Sequence, residues 1–264
     1  MIYQKVKGLV PLSFRVFLAT RTRGLATRVA ALDRGFLAGK YLKGEGIEIG
    51  ALHSPLPVSK TARVKYVDRM SVADLRRQYP ELAPLQLVET DIIDDGEHLS
   101  NVNAESQDFV IANHFIEHCQ NPLDALSNMF RVLRTGGVLY MAIPDKRYTF
   151  DADRAVTSIE HVVRDYEEGP AWSKRQHFEE WTKFVDGVAG DDDAARHASD
   201  LIDKDYSIHF HVWTQAEMFE LFATLKHKTG VSFDVELFLK NAGECIFILR
   251  KADAQQQSSP ASDG

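Results

Sequence analysis

Five short apolar runs, each cut off by a small or polar residue, constrain this chain more than any other feature. Residues 47–49 run into Gly50, 64–67 into Asp68, 85–89 toward Asp91, 109–112 into Asn113 and 138–143 into Pro144. Runs this short and this rich in Val, Ile and Leu suit strands that are buried on both faces. Helical segments separate several of them. Ser71 stands at the N-cap position of a helix over 72–79 that must stop before Pro80. Asn121 followed by Pro122 opens another, with Leu123, Leu126, Met129, Phe130 and Leu133 at helical spacing and Gly136-Gly137 as its stop. Strands alternating with helices predict a mostly parallel sheet with right-handed crossovers. Thr214 caps a last helix reaching about Lys228. Two strand-like runs, 231–239 and 244–250, then flank the hairpin signal Lys240-Asn241-Ala242-Gly243. The expected class is α/β, with the sheet closing on an antiparallel pair.

Composition sets the outer bounds. The chain has 264 residues, and its 44% hydrophobic and 26% charged content is that of an ordinary globular protein. No apolar run approaches the ~20 residues of a membrane-spanning helix. The stretch 9–19 is interrupted by Pro11 and Arg15 and lacks a clear cleavage pattern, which argues against a secretory leader. Cys119 and Cys245 form no metal-spaced motif and nothing demands a disulfide, so a cytoplasmic setting is the simpler expectation. Residues 1–43 read as a basic helical extension, helical from about 13 with a break near Gly24. Up to Lys40 they carry eight basic residues against Asp33 alone. The whole chain is nevertheless at -7. An acidic body excludes broad nucleic-acid binding, which needs basic surface against phosphates. The basic head suits peripheral contact with an anionic membrane or a protein, or else is the solvated face of helices that cap the domain. The main domain is expected over 44–250, with a disordered tail over 251–264. Residues 145–210 break the alternation and are too long for a plain connection. They read as a helical insertion over the substrate side.

In an open parallel sheet, ligands bind outside the carboxyl ends of the strands. The residues there are Glu48 and Gly50, Asp68, Asp91 and Ile92, Asn113 and His114, and Pro144 and Asp145. An acid ending the second strand can accept hydrogen bonds from both hydroxyls of a ribose. An acidic–apolar pair after the third can accept from the adenine amino group and pack on its face. Any one of these is equally an ordinary salt-bridge or loop acid, and only their order at successive strand ends favours a nucleoside ligand. With these residues in place, the segment resembles class I methyltransferases of the type-11 kind. Gly46-Ile47-Glu48-Ile49-Gly50-Ala51 resembles the first motif, Tyr66-Val67-Asp68 the second and Thr90-Asp91-Ile92 the adenine motif. Asp108 to Asn113, Glu117-His118 and Asn121-Pro122 resemble the fourth strand and its sequel, and Leu133 to Leu139 the shared helix-to-strand turn. The resemblance implies a Rossmann-like, seven-stranded, mostly parallel sheet with helices on both faces. It also implies S-adenosyl-L-methionine as cofactor, held by Glu48, Gly50, Ala51, Asp68, Asp91, Ile92 and Asn113. Sequences of this appearance resemble methyltransferases associated with bacterial surface-polysaccharide synthesis, which implies a small-molecule, saccharide or glycolipid acceptor. One departure stands out: the usual glycine-rich loop is replaced by Ala51-Leu52-His53-Ser54-Pro55-Leu56-Pro57, and two prolines there impose an unusual path.

Methyl transfer to a hydroxyl needs in-line alignment and a proton acceptor. The candidates are His114, nearest the fourth strand end, with His118, Asp145 and His161; His114, Asp145 and His118 are the catalytic set. His114 serves equally well as a loop-capping hydrogen-bond group. His114-Phe115-Ile116-Glu117-His118 also matches the H-x-x-E-H pattern of zinc peptidases, so the rival reading is a metal-dependent hydrolase using His114, Glu117 and His118. A non-catalytic cofactor-binding module is the other alternative. Asp145 to Asp151, with Lys146, Arg147, Tyr148 and Phe150, has the charge and aromatic mixture that a sugar would meet. The insertion adds His161, Asp165, Tyr166, His177, Glu180 and Trp181, and His209 to Trp213 follow. Their spacing is irregular for a metal, and no metal ligand is assigned.

Overall fold

The computed structural model describes residues 33–253. Residues 1–32 of the extension expected over 1–43, and residues 254–264 of the tail expected over 251–264, lie outside the described residues, and the rest of the extension packs into the core through Leu37 and Ala38. Helix α1 (Arg34–Tyr41) leads into β1 (Gly44–Ile49), β2 (Ala62–Asp68), α2 (Val72–Gln78), β3 (Ile92–Ile93), β4 (Gln107–Asn113), α3 (Pro122–Val132) and β5 (Leu133–Pro144). Helices α4 (Ile159–Glu168), α5 (Ala171–Phe184) and α6 (Asp191–Asp203) fill the insertion. Helix α7 (Gln215–Thr229), β6 (Phe233–Asn241) and β7 (Glu244–Lys251) complete the chain. The seven strands form one sheet in the order β3-β2-β1-β4-β5-β7-β6. Strands β1 to β5 run parallel, and β7 is antiparallel to both β5 and β6. The expected α/β, Rossmann-like sheet with its antiparallel closing pair is therefore present.

Side chains alternate across the central strands. Val110, Ala112, Leu139, Met141, Phe247 and Leu249 face Leu123, Leu126 and Phe130 of α3 and Met218, Leu221 and Phe222 of α7. Phe109, Ile111, Tyr140, Ala142, Ile246 and Ile248 face Leu37 and Ala38 of α1 with Leu56. Both faces are thus covered, which is why the runs are continuously apolar. Caps place the helices. Ser71 accepts from the Asp74 amide, Asn121 from the Asp124 amide, and Thr214 with Glu217 forms a capping box. The insertion has its own small core of Phe178, Trp181, Val185, Ala198, Leu201, Ile208 and Phe210. No helix among the described residues is long and apolar enough to cross a membrane.

Three boundaries differ from expectation. The third strand is not at 85–89. Leu87 packs with Val72, Leu75 and Leu82, and the Val88 amide donates to the Leu52 carbonyl, so this stretch covers α2 instead of extending the sheet. The strand falls at Ile92–Ile93, paired with Val67 and Asp68. Helix α3 ends at Val132, before Gly136-Gly137. Leu133 already pairs with Gln107, the chain bends through the left-handed Gly136 (φ 81°), and pairing resumes at Val138 with Phe109. Lys251, assigned to the tail, is the last residue of β7.

Gly46 sits between β2 and β4, opposite Val64 and Phe109. A β-carbon there would lie 2.4 Å from the Phe109 carbonyl oxygen. Gly46→Ala should cost about 1–3 kcal/mol and lower the calorimetric midpoint by about 2–4 °C per kcal/mol. An unchanged midpoint would contradict this packing.

Candidate active site

The carboxyl ends of β1 to β5 share one edge, and antiparallel β7 brings its first residue, Glu244, to the same edge beside Pro144. Strand β1 ends at Gly50, whose amide donates to the Val67 carbonyl and whose φ of 63° is left-handed. A β-carbon at Gly50 would meet only Phe115, at 3.8 Å, so the space beside it is open. Glu48 is buried and turned toward the loop. Its two carboxylate oxygens accept the Leu56 amide at 2.9 and 3.1 Å. That contact fixes the proline-bearing loop that stands here in place of a glycine-rich turn. Burial pushes Glu48 up to about 7, with the Leu56 amide opposing. At the next strand end, burial likewise raises the Asp68 carboxyl, opposed by the backbone amides of Met70 and Arg69.

The shifted third strand changes what stands beside Asp68. Asp91 precedes β3, and its carboxylate accepts the Tyr66 amide at 2.8 Å, anchoring the start of the strand. Ile92 packs inward against the core, whereas Ile93 is 56% exposed. The residues at the carboxyl end of β3 are Asp94, Asp95 and Gly96. A β-carbon on Gly96 would lie 2.6 Å from both the Ile49 and Phe115 side chains, so this glycine lets three strand ends converge. The Asp95-Gly96 dipeptide is the turn signal that marks the place in the sequence.

Strand β4 delivers Asn113 and His114. Asn113 Oδ1 is buried and has no hydrogen-bond partner. His114 adopts φ 51°, and its amide donates to the Ala142 carbonyl. Its Nε2 lies 2.9 Å from Glu244 Oε2, and its Nδ1 lies 3.6 Å from Glu117 Oε1. Glu244 also accepts from Arg34, through Nε at 2.7 Å and through Nη2, and from Asn241 at 2.7 Å. Burial alone would raise Glu244, but the hydrogen bonds from His114 and Arg34 outweigh it and hold the carboxyl at about 2. Sequence spacing gives no hint of this contact, which joins residues 130 positions apart. Glu117 is fully buried, both its oxygens lack partners, and burial pushes it up to about 7.

The other two catalytic candidates are placed differently. His118 turns away to the Ile208 carbonyl at 2.9 Å and the Ser207 hydroxyl at 3.0 Å, and burial depresses it to about 3. Asp145 is buried but clamped by Arg147 at 2.9 and 2.6 Å. Burial would raise its carboxyl, yet Arg147 holds it below the ordinary value, so it is a poor proton acceptor. His161 lies in α4 against His177. The hydrolase pattern also fails to assemble. Ile116–His118 is a single 3-10 turn, His114 lies outside it in a left-handed conformation, and the two histidines bond in different directions.

Residues 44–141 match the family described as a methyltransferase domain. No curated protein matches the chain. A solved structure from Rhodobacter sphaeroides, provisionally named a zinc-dependent alcohol dehydrogenase, is 13% identical, with 82% of this chain and 87% of that one covered and a TM-score of 0.49. One from Methanococcus maripaludis, provisionally named an S-adenosyl-L-methionine-dependent methyltransferase, is 11% identical over 94% of this chain and 90% of that one, with a TM-score of 0.42. A SAM-dependent methyltransferase from Methanosarcina mazei is 17% identical over 84% of this chain and 99% of that one, with a TM-score of 0.46. At such identities and scores these neighbours say nothing about substrate. The fold is read from its own strand order and register, and with the family match it defines a class I methyltransferase domain over 44–141. Residues 44–141 are thus a methyltransferase-type domain, the kind that takes S-adenosylmethionine as its methyl donor.

Glu48 carries a pH signature. Its folded value of about 7 exceeds the ordinary 4.5. Its contribution is therefore fully present below the unfolded value and lost as pH rises through 7. Between pH 5 and 8, Glu48→Gln should remove about 2 kcal/mol of the wild-type loss of stability. Urea melts at both pH values measure the difference, and parallel losses in the two proteins would contradict the burial of this carboxylate.

Proposed function

We propose that this methyltransferase acts on a hydroxyl of a small polar acceptor, a saccharide or glycolipid, with His114 as proton acceptor. The observation that carries this reading is His114 at the carboxyl end of β4, held between Glu244 and Glu117. Glu244 accepts the Nε2 proton and fixes the ring and its tautomer, which leaves the Nδ1 lone pair free. Arg34 keeps Glu244 ionised. A substrate hydroxyl gives its proton to His114 Nδ1, and the adjacent Glu117 steadies the imidazolium that forms.

The cofactor supplies a methyl group already activated on a sulfonium, so the chain mainly has to bind and align. The strand ends fit it chemically. Its ribose hydroxyls, adenine amine and ammonium are donors, and this edge offers acceptors: Asp68 and the unpartnered Asn113 Oδ1, together with Asp94 and Asp95, which also accept the Asn101 and Glu97 amides. Asp68 is assigned to the ribose and the open space beside Gly50 and Ala51 to the methionyl end. Ile93 takes the adenine-packing place first given to Ile92. Asp91 and Glu48 act indirectly, through β2 and the 51–56 loop. The saccharide reading is supported by Tyr148, which is 50% exposed and flanked by Arg147 and Lys240, both within 6 Å of its ring centre. The basic N-terminal extension, residues 1–43, remains the proposed contact with a membrane or protein partner, and the cytoplasm the proposed compartment.

S-adenosylhomocysteine should raise the melting temperature. Asp68→Ala should weaken its binding by about 10- to 100-fold, the equivalent of a lost charge-assisted pair of hydrogen bonds. An unchanged thermal shift in the variant would overturn the ribose assignment. His114→Gln should keep that shift but lower kcat by about 10²- to 10⁴-fold on a hydroxylated saccharide panel. Retained kcat in a variant that binds normally would remove His114 from the chemistry.

A further inference from the structure

Residues of the insertion and of the strand-like segment after it meet in a cluster that methyl transfer leaves unused. His161 and Asp165 lie one turn apart on the same face of α4. His177 comes from α5 and His211 from the segment leading to α7. One donor atom from each of the four lies within 4.8 Å of all the others. His161 Nε2 is 3.0 Å from His177 Nε2 and 3.3 Å from Asp165 Oδ2, and His211 Nε2 is 3.6 Å from the same oxygen. Ligand atoms around a tetrahedral zinc, at bond lengths of about 2.0–2.2 Å, stand about 3.3 Å apart. Three of the four side chains are buried, Asp165 and His211 at 0% exposure and His177 at 6%, while the His161 side chain is 19% exposed.

Hydrogen bonding accounts for only part of this arrangement, the 3.0 Å contact between the His161 and His177 ring nitrogens. Asp165 Oδ2 is buried and accepts no hydrogen bond, although two imidazole nitrogens face it. His211 Nε2 finds only the Gln120 carbonyl, at 3.4 Å, and its Nδ1 has no partner. A buried carboxylate oxygen left without a hydrogen bond is costly, and a cation at the centre removes the cost. The surrounding groups orient the donors as outer-shell partners do around a metal. Ser173 donates to Asp165 Oδ1 at 2.9 Å, Asn121 donates to the Asp165 carbonyl, and His211 stacks on Trp213.

We infer that His161, Asp165, His177 and His211 form a tetrahedral site for a divalent transition metal, zinc in the first instance. Three imidazoles and one carboxylate suit that ion and not calcium or magnesium. Four protein donors close the shell, so the role is structural. The ion ties α4 and α5 to the 207–213 segment and, through Asn121, to the start of α3. The site does not depend on the acceptor or on the role of His114.

Metal analysis of the full chain, purified without an affinity tag, should find stoichiometric zinc. Asp165→Asn and His177→Gln should each lose it, and His197→Gln, on exposed α6, should keep it. A chelator should lower the wild-type melting temperature and leave the two ligand variants unmoved. Cobalt exchanged into the wild-type chain gives a readout that needs no variant, and should show the intense visible bands of a tetrahedral ion. A chain that binds neither ion after incubation and desalting, an octahedral cobalt spectrum, or zinc retained by folded Asp165→Asn and His177→Gln would each overturn the site.

Discussion

Burial of β1, β4, β5 and β7 on both faces is the constraint from which the rest of the structure follows. Strands packed between α1 on one side and α3 and α7 on the other are lined almost entirely by apolar side chains along their length, Glu48 of β1 being the buried charged exception. Polar groups therefore gather where the strands stop. Because β1 to β5 run parallel, they stop together, and antiparallel β7 adds Glu244 to the same edge. Gly50, Asp68, Asp94, Asn113, His114 and Glu244 stand together because of sheet geometry, although they are scattered along the chain. Gly46 and Gly96 permit the close approach by leaving out a β-carbon where Phe109, Ile49 and Phe115 fill the space.

The same constraint decides what could be read from the residues. Continuous apolar runs make buried strands easy to see, and Ser71, Asn121-Pro122 and Thr214 announce helices through local hydrogen bonding. The 85–89 run misleads because its leucines meet a helix, not a sheet. Periodicity over so short a stretch does not separate the two. Asp91 falls in the expected order along the chain, yet it precedes β3 and accepts the Tyr66 amide, and the acid at that strand's carboxyl end is Asp94, three positions on. Gly136-Gly137 reads as a helix stop, but Leu133 is already captured by Gln107. In each case a tertiary partner overrules a plausible local pattern.

Long-range pairs are the part that local pattern cannot reach. His114 was identifiable as a strand-end histidine. The group that orients it, Glu244, arrives through the closing hairpin, and Arg34 through α1. Likewise His161, Asp165, His177 and His211 show no metal-like spacing because three separate elements supply them. Under the proposed function the base of the insertion, around Tyr148, borders the acceptor, while its far half meets the segment after it in the cluster of His161, Asp165, His177 and His211.

Hydrogen–deuterium exchange with and without S-adenosylhomocysteine tests the central claim most directly, since the cofactor must lie along the shared strand edge. Exchange should slow only at residues 50–54, 68–70, 94–96 and 113–115, with the insertion beyond residue 159 little changed. Protection confined to the insertion, or saturating ligand with no protection at those four strand ends, would contradict it.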